Sequence, residues 1–375
     1  MMVNGDALPV PTIYQVAERA GVSIATVSRA FGDSSKVAPR TRDAVFEAAR
    51  ELRYVPAAAA RALAVRRSKA LGVVLPHIAG PYYAELLVGF EIAASELGLP
   101  VVLVLARPQE HRPAAVLDLL GRVDGMAFMA RSGADDEIVR QVSEVRPTVS
   151  VARGRVDGVD AFYAENRRSA QQLTEHLIGH GRRRLGFVGR PEEGSDIGRR
   201  HRGHLEALAA AGLSPARHFD VDPVESAGLE VAEQLLAVAE QDPDRADPAV
   251  STAESSGAPR GIAGLDALVC GNDELALAII ARLTAAGVDV PGQLAVTGWD
   301  DTVTARYLRP GLTTVRQEVA QLGALAARRL AARIDGDAVQ EPCIVDSTLV
   351  LRESCGCSPD GVSGTPPLDA LSAGA

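Results

Sequence analysis

The stretch that most constrains this chain lies near its start, TIYQVAERAGVSIATVSRAF at residues 12–31, where helix-start and helix-stop signals follow one another closely. Thr12 can cap a helix and Gln15, three residues on, can reach back to close a capping box, so a first helix is expected over 13–20. Gly21 ends it. Ser23 is a second N-cap candidate directly after that glycine, so a second helix follows to about Phe31 with only a tight turn between. Ala17 is small enough to let the two helices approach, and Val16, Val22 and Val27 supply the apolar contacts. Pro39 then opens a third helix in which Val45, Ala49 and Leu52 fall on one face and close a three-helix core.

This is helix-turn-helix spacing, and in that geometry the start of the second helix enters the major groove of DNA. Ile24, Ala25 and Arg29 then lie nearest the base edges, while Ser23, Thr26, Ser28 and the basic residues of the third helix suit phosphates. The run YQVAERAGVSIATVSR, followed by YVP at 54–56 and ARAL at 60–63, closely resembles the lactose-repressor (LacI/GalR) family of transcription regulators. The resemblance is specific over residues 12–63 and continues, more weakly, to about Cys357. It implies a helix-turn-helix head over 10–56, with Thr12 and Tyr14 joining the second-helix residues as DNA contacts.

Residues 57–68 read as a hinge helix. Pro56 favours a helix start and the alanines after it favour helix, yet the segment is shorter than the ~12 to 15 residues at which isolated helices become marginal. It should form only when something packs on it. The resemblance implies that two such segments of a dimer dock in the minor groove at the operator centre, with Ala57 and Ala60 in contact and Leu63 wedging a base step. Ala57 stands where the family usually carries Asn or Ser, so the hinge lacks a cap while its alanines raise helix propensity.

Charge divides along the same boundary. Residues 1–69 hold 11 Lys and Arg against 6 Asp and Glu, a balance of +5, and the total of −9 leaves −14 for the rest. A basic head on an acidic body fits a chain in which only the head meets phosphates. At 375 residues and 47% hydrophobic the chain can bury more than one core. It carries no apolar run long enough to span a membrane, and MMVNGDALPVP has neither a basic start nor an apolar run, so the expected location is the cytoplasm. The cysteines agree: Cys270 sits in an apolar run, Cys343 stands alone, and the C-x-C pair Cys355 and Cys357 has no neighbouring Cys or His at metal spacing, so no metal site and no cofactor are expected.

From Ala70 onward short apolar runs alternate with amphipathic helical stretches, as in a doubly wound α/β sheet. LGVVLP at 71–76 is the first strand; a helix follows with Leu86, Phe90, Ala93 and Leu97 as its buried stripe. VVLVLA, GMAFMA and TVSVA give further strands of one lobe. The helix SAQQLTEHLIGHG opens a second lobe with strands RLGFVG, ALVCG and LAVTG, a last helix over about 317–334 and a strand over 344–351. Residues 241–264 read as a mobile insertion and 358–375 as a disordered tail. The resemblance implies a body over 69–357 like a periplasmic binding protein, two parallel sheets with three crossings between them: a first lobe of 69–167 plus 318–340 and a second of 168–317 plus 341–357. The tail has no leucine heptad, so a homodimer is expected.

In open α/β sheets ligands bind beyond the carboxyl ends of strands. Tyr82 and Tyr83 follow the first strand, Arg153 follows TVSVA, Arg200 opens the helix after RLGFVG, Asn272 follows ALVCG and Asp300 follows LAVTG, a set of rings, donors and acceptors suited to a hydroxyl-rich molecule. The motifs RxxG at 200–203, GND at 271–273 and GWDDT at 298–302 match the family, so the resemblance assigns effector contacts to Arg200, Asn272 and Asp300, and also to Gln317. Ala152 sits where many sugar-responsive relatives carry an acid. A secreted sugar-binding protein would share the body but not the basic head. No nucleophile elbow, P-loop, dinucleotide fingerprint or HExxH occurs, and His176, His180, His201 and His204 read as solvated faces, so no catalytic residues are expected. The expectation is therefore a dimeric repressor that binds a near-palindromic operator and answers to a small ligand, a sugar; the direction of the response stays open.

Overall fold

The structure is a computed structural model that describes residues 11–32, 36–54, 68–106, 113–241 and 261–358. The chain divides into two compact units, residues 1–69 and 70–375. The expected hinge helix with Ala57, Ala60 and Leu63, most of the 241–264 insertion, and the tail lie outside the described residues.

In the first unit α1 (Ile13–Ala20), α2 (Ile24–Gly32) and α3 (Pro39–Glu51) form the expected three-helix head. The capping box is made: the Thr12 backbone N–H donates to Gln15 Oε1 at 2.8 Å, and Gln15 N–H reaches Thr12 Oγ1 at 3.4 Å. Gly21 takes φ +67°, the left-handed stop that any side chain would strain. Val16, Ala17, Val27, Ala30, Val45, Ala48 and Ala49 are buried together, with Leu52 and Tyr54 packed against them.

The second unit carries two parallel sheets. Strands β1 (Leu71–Leu75), β2 (Val101–Leu105), β3 (Gly125–Met129), β4 (Thr148–Val151) and β5 (Asp160–Ala164) alternate with α4 (Pro81–Glu96), α5 (Pro113–Leu120) and α6 (Asp136–Ser143). The chain then builds the second lobe: α7 (Arg167–Gly179), β6 (Leu185–Val188), α8 (Asp196–Ala210), β7 (Arg217–Phe219), α9 (Glu225–Glu240), β8 (Ala267–Cys270), α10 (Asp273–Ala285), β9 (Ala295–Thr297), α11 (Val303–Tyr307) and β10 (Thr314–Gln317). It returns through α12 (Val319–Ile334) and β11 (Cys343–Val345), and finishes with β12 (Ser347–Val350) and a 3₁₀ turn, Glu353–Cys355. The first sheet runs β11-β5-β4-β3-β1-β2 and the second β7-β6-β8-β9, with β10 and β12 a separate antiparallel pair. The chain thus passes between lobes after β5, after β10 and after β11.

Central strands β1, β3, β4, β6 and β8 are buried along their whole length, because helices cover both faces of a parallel sheet. Three details depart from the sequence reading. The strand expected over 344–351 is two strands, and the first, β11, pairs in parallel with β5 of the first sheet and not with the second lobe. Leu97, expected in the buried stripe of α4, caps that helix and is exposed, while Tyr83, Leu86, Phe90 and Ala93 are buried. Gln317 ends β10 and does not open the last helix, which starts at Val319.

Candidate functional site

A cavity of about 350 Å³ opens between the two sheets. Its lining comes from the segments just beyond strand ends: His77, Ala79, Tyr82 and Tyr83 after β1, Ala130 and Arg131 after β3, Ala152 after β4, Arg190, Asp196 and Arg200 among others after β6, Asp222 to Val224 after β7, Asn272 and Glu274 after β8, and Asp300 after β9. Parallel strands point their carboxyl ends the same way, so the loops of both sheets converge there.

Arg200 is its fixed point. It is 5% exposed; Nε donates to Asn166 Oδ1 at 2.7 Å, Nη1 donates to the Gly271 carbonyl, and the guanidinium lies 4.5 Å from the Trp299 ring centroid. These partners hold its orientation, so a ligand does not have to restrict a free side chain. Asp196, one helical turn earlier on α8, is buried and pairs with Arg199 at 3.0 Å. Burial raises its carboxyl pKa, partly opposed by Arg200 and Arg199. Asp300 sits at φ +118° and accepts from Gln317 Nε2 at 2.6 Å. Burial pushes its carboxyl well above the ordinary range, opposed by Arg200 and reinforced by Asp273. Asn272 caps α10, its Oδ1 accepting from Leu275 N–H at 3.0 Å while Nδ2 donates to the Pro223 carbonyl at 3.1 Å. Tyr83 donates to the Ala130 carbonyl at 2.7 Å. The buried Tyr82 hydroxyl finds no partner in the protein, an unsatisfied polar atom at the cavity wall.

The expected contacts Tyr82, Tyr83, Arg200, Asn272 and Asp300 therefore meet around one cavity. Arg153 and Gln317 do not line it. Ala152 does line it, at φ +58° just after β4, while Arg153 turns away to donate to the Ala134 carbonyl at 3.1 Å and to pair with Asp136. Gln317 stands behind Asp300 and orients its carboxylate. Sequence reasoning missed Asp196, although it lies four residues before Arg200 on the same helix face. It also missed contacts between the lobes at the cavity: Arg131 of the first lobe pairs with Asp222 of the second at 2.8 Å, and Gly80 is approached so closely by Glu274 that an added Cβ would lie 2.2 Å from its Oε1; within the second lobe Arg190 reaches the same Asp222 carboxylate at 3.0 Å.

In the head, Thr12, Tyr14, Ser23, Ile24, Ala25, Ser28 and Arg29 are exposed and Thr26 partly so. Ser23 caps α2, its Oγ accepting from Thr26 N–H at 3.2 Å. Ile24 at the start of α2 is 41% exposed beside the exposed Ala25 and Arg29, which gives that face of the helix an apolar component.

Residues 12–57 match the family described as "Bacterial regulatory proteins, lacI family", and residues 174–355 match "Periplasmic binding protein-like domain". The HTH-type transcriptional regulator CelR of Thermobifida fusca is 32% identical over 359 residues, covering 92% of this chain and 98% of that protein. The HTH-type transcriptional repressor PurR of Erwinia tasmaniensis is 30% identical over 93% of this chain and 98% of its own. Among solved structures, a lac repressor dimer bound to operator and the anti-inducer ONPF superposes with a TM-score of 0.77 at 25% identity, covering 92% of this chain and 99% of that one. A CelR–cellobiose complex superposes with a TM-score of 0.63 at 29% identity, again over 92% and 99%.

Proposed function

The chain belongs to the LacI/GalR family of bacterial regulatory proteins, and from that premise we propose that it is a homodimeric repressor whose operator affinity is set by a sugar held between the lobes of its body. It is a DNA-binding transcription regulator. The observation that carries the ligand class is the lining of the cavity, where the buried Arg200, five acids and two tyrosines offer a fixed donor, charged acceptors and flat apolar faces. Sugars present hydroxyls that donate to carboxylates and C–H faces that pack on rings, so this lining suits them.

Dimerisation is supported by apolar side chains on one flank of the first lobe: Val88 and Ile92 on α4 are 55% and 50% exposed, and Leu103 and Leu105 open outward on the edge strand β2. We read Ile24, Ala25 and Arg29 as base contacts, with Thr12, Tyr14, Ser23, Thr26 and Ser28 on phosphates, and Ala57, Ala60 and Leu63 as the minor-groove contacts of the hinge. Such a regulator acts where the chromosome is, in the cytoplasm, and none of its described helices is long and apolar enough to cross a membrane. The relatives are regulators and not enzymes, and we assign no catalytic role.

The test combines selection of a binding site from random duplex DNA with a thermal-shift panel of sugars, sugar phosphates and nucleobases. The reading expects a near-palindromic site and stabilisation by a sugar that also changes affinity for that site. Stabilisation by a nucleobase alone would transfer the ligand class away from sugars.

A further inference from the structure

The C-terminal end of the second lobe carries a cluster that the regulator reading does not use. His176 and His180 stand one turn apart at the end of α7, and Cys355, which ends the last 3₁₀ turn, and Cys357 flank Gly356. Their ligand atoms all lie within 4.8 Å of one another. His176 Nε2 is 3.3 Å from Cys355 Sγ and 3.4 Å from Cys357 Sγ, and His180 Nε2 is 3.5 Å from Cys357 Sγ. A tetrahedral zinc with bonds of about 2.3 Å to sulfur and 2.05 Å to nitrogen separates its N and S ligands by roughly 3.6 Å, so these contacts already have the length of a coordination polyhedron's edges.

We propose that His176, His180, Cys355 and Cys357 form a Cys2His2 site for a tetrahedral, borderline-soft divalent cation, zinc by its ligand chemistry. Two thiolates and two imidazoles from fixed elements match a closed structural site, in contrast with the oxygen donors that magnesium or calcium take. Gly356 adopts φ +107°, which lets both cysteines turn to the same side of the chain. Thr313 is fully buried and donates from Oγ1 to Cys355 Sγ at 3.1 Å, the supporting hydrogen bond that ligands of such sites receive. His180 is exposed, which gives the ion an entry. Binding releases the two thiol protons to solvent, leaving the site formally neutral.

The site is distinct from the cavity. α7 feeds into the amino end of β6, whereas the cavity lies beyond the carboxyl ends of the same sheet. The ion would tie the end of the folded chain to α7 across 175-odd residues of sequence, roughly the span over which a cross-link removes several kcal/mol of chain entropy from the unfolded state. The C-x-C pair lacked metal partners in the sequence because the fold supplies them from that distance.

The test uses the full-length protein purified under reducing conditions without chelator. Elemental analysis after dialysis should find one zinc per chain. Replacement by cobalt should give the visible bands of a tetrahedral ion and the near-ultraviolet sulfur-to-cobalt charge transfer of two thiolates. Cys357→Ser and His180→Ala, both at the accessible side of the cluster, should keep their circular dichroism yet lose stoichiometric metal, and chelator should lower the melting temperature of the parent but not of these variants. Substoichiometric zinc together with absent cobalt bands overturns the proposal, as does equal metal content in the variants. A Cys355–Cys357 disulfide in the freshly isolated protein, detected by mass before and after alkylation, would replace the metal site with a redox pair.

Discussion

At the residue scale, the ligand contact proposed for Asp300 predicts a dependence on pH. Its carboxyl is raised by burial, so it takes up its proton above the usual range near pH 4. Ligand hydroxyls donate to the ionised form, so binding must favour deprotonation and affinity should fall as pH is lowered through this raised value. Isothermal titration across that range should show the decline, and Asp300→Asn, which tolerates a positive φ, should bind more weakly with a flat profile; an unchanged profile would assign the titration elsewhere. The ligand-free protein follows the opposite sign. Asp273 is fully buried and its carboxyl is pushed up to about 6 by burial, so the native state binds its proton more tightly than the unfolded chain and that part of the stability is lost as pH rises from about 4 to 6. In the head, Arg29→Ala should cost about 1 to 3 kcal/mol on the selected site while leaving salt-dependent binding to random DNA intact. Equal losses on both, measured by fluorescence anisotropy, would make Arg29 a phosphate contact.

At the element scale, helix α4 and helix α12 cross so closely that a Cβ at Gly323 would lie 2.1 Å from the Leu86 carbonyl oxygen and one at Gly89 would lie 1.9 Å from that of Ala320. Gly323→Ala should force the helices apart and cost on the order of 1 to 3 kcal/mol in urea denaturation. Gly179→Ala, on α7 with nothing within 4 Å, should instead be neutral or stabilising by helix propensity. Equal effects of the two would remove close packing as the cause. The hinge has its own test: Leu63→Ser should reduce operator bending and affinity without changing ligand binding, as read by gel mobility of permuted sites and by calorimetry. Unaltered bending would leave the hinge as a tether.

The elements that sequence revealed are those with local causes. Thr12, Gln15, Gly21 and Ser23 mark the helix ends of the head by their caps, and LGVVL and ALVC are short apolar runs bounded by turn residues, which read as buried strands. Short strands such as β7 and β10 were not legible, because three or four residues carry no period and their pairing depends on distant partners. In the site, motifs located Arg200, Asn272 and Asp300. The backbone turn at Ala152 that carries Arg153 away, and the meeting of His176 with Cys355, arise only in three dimensions.

For the whole molecule, the sequence joins a basic helix-turn-helix head to an acidic two-lobed body through residues 57–68, fewer than an isolated helix needs to be stable. The lobes touch across the cavity through Arg131 on Asp222 and through Arg199, whose guanidinium lies 4.1 Å from the Tyr163 ring centroid. A ligand that inserts between them can shift only an equilibrium whose two states it binds unequally, and closure of the lobes supplies such states. The chain crosses between the lobes in the connections after β5, after β10 and after β11, so any change in the relative position of the lobes must be accommodated there. The most direct measurement is operator affinity as a function of ligand concentration for the parent, Arg200→Ala and Asp300→Asn, each checked for fold and dimerisation. Removing a buried charge-assisted contact should weaken ligand by about 2 kcal/mol or more. Both variants should therefore bind operator as the ligand-free parent does and ignore ligand at concentrations that saturate the parent; full responsiveness in either would place the controlling pocket elsewhere.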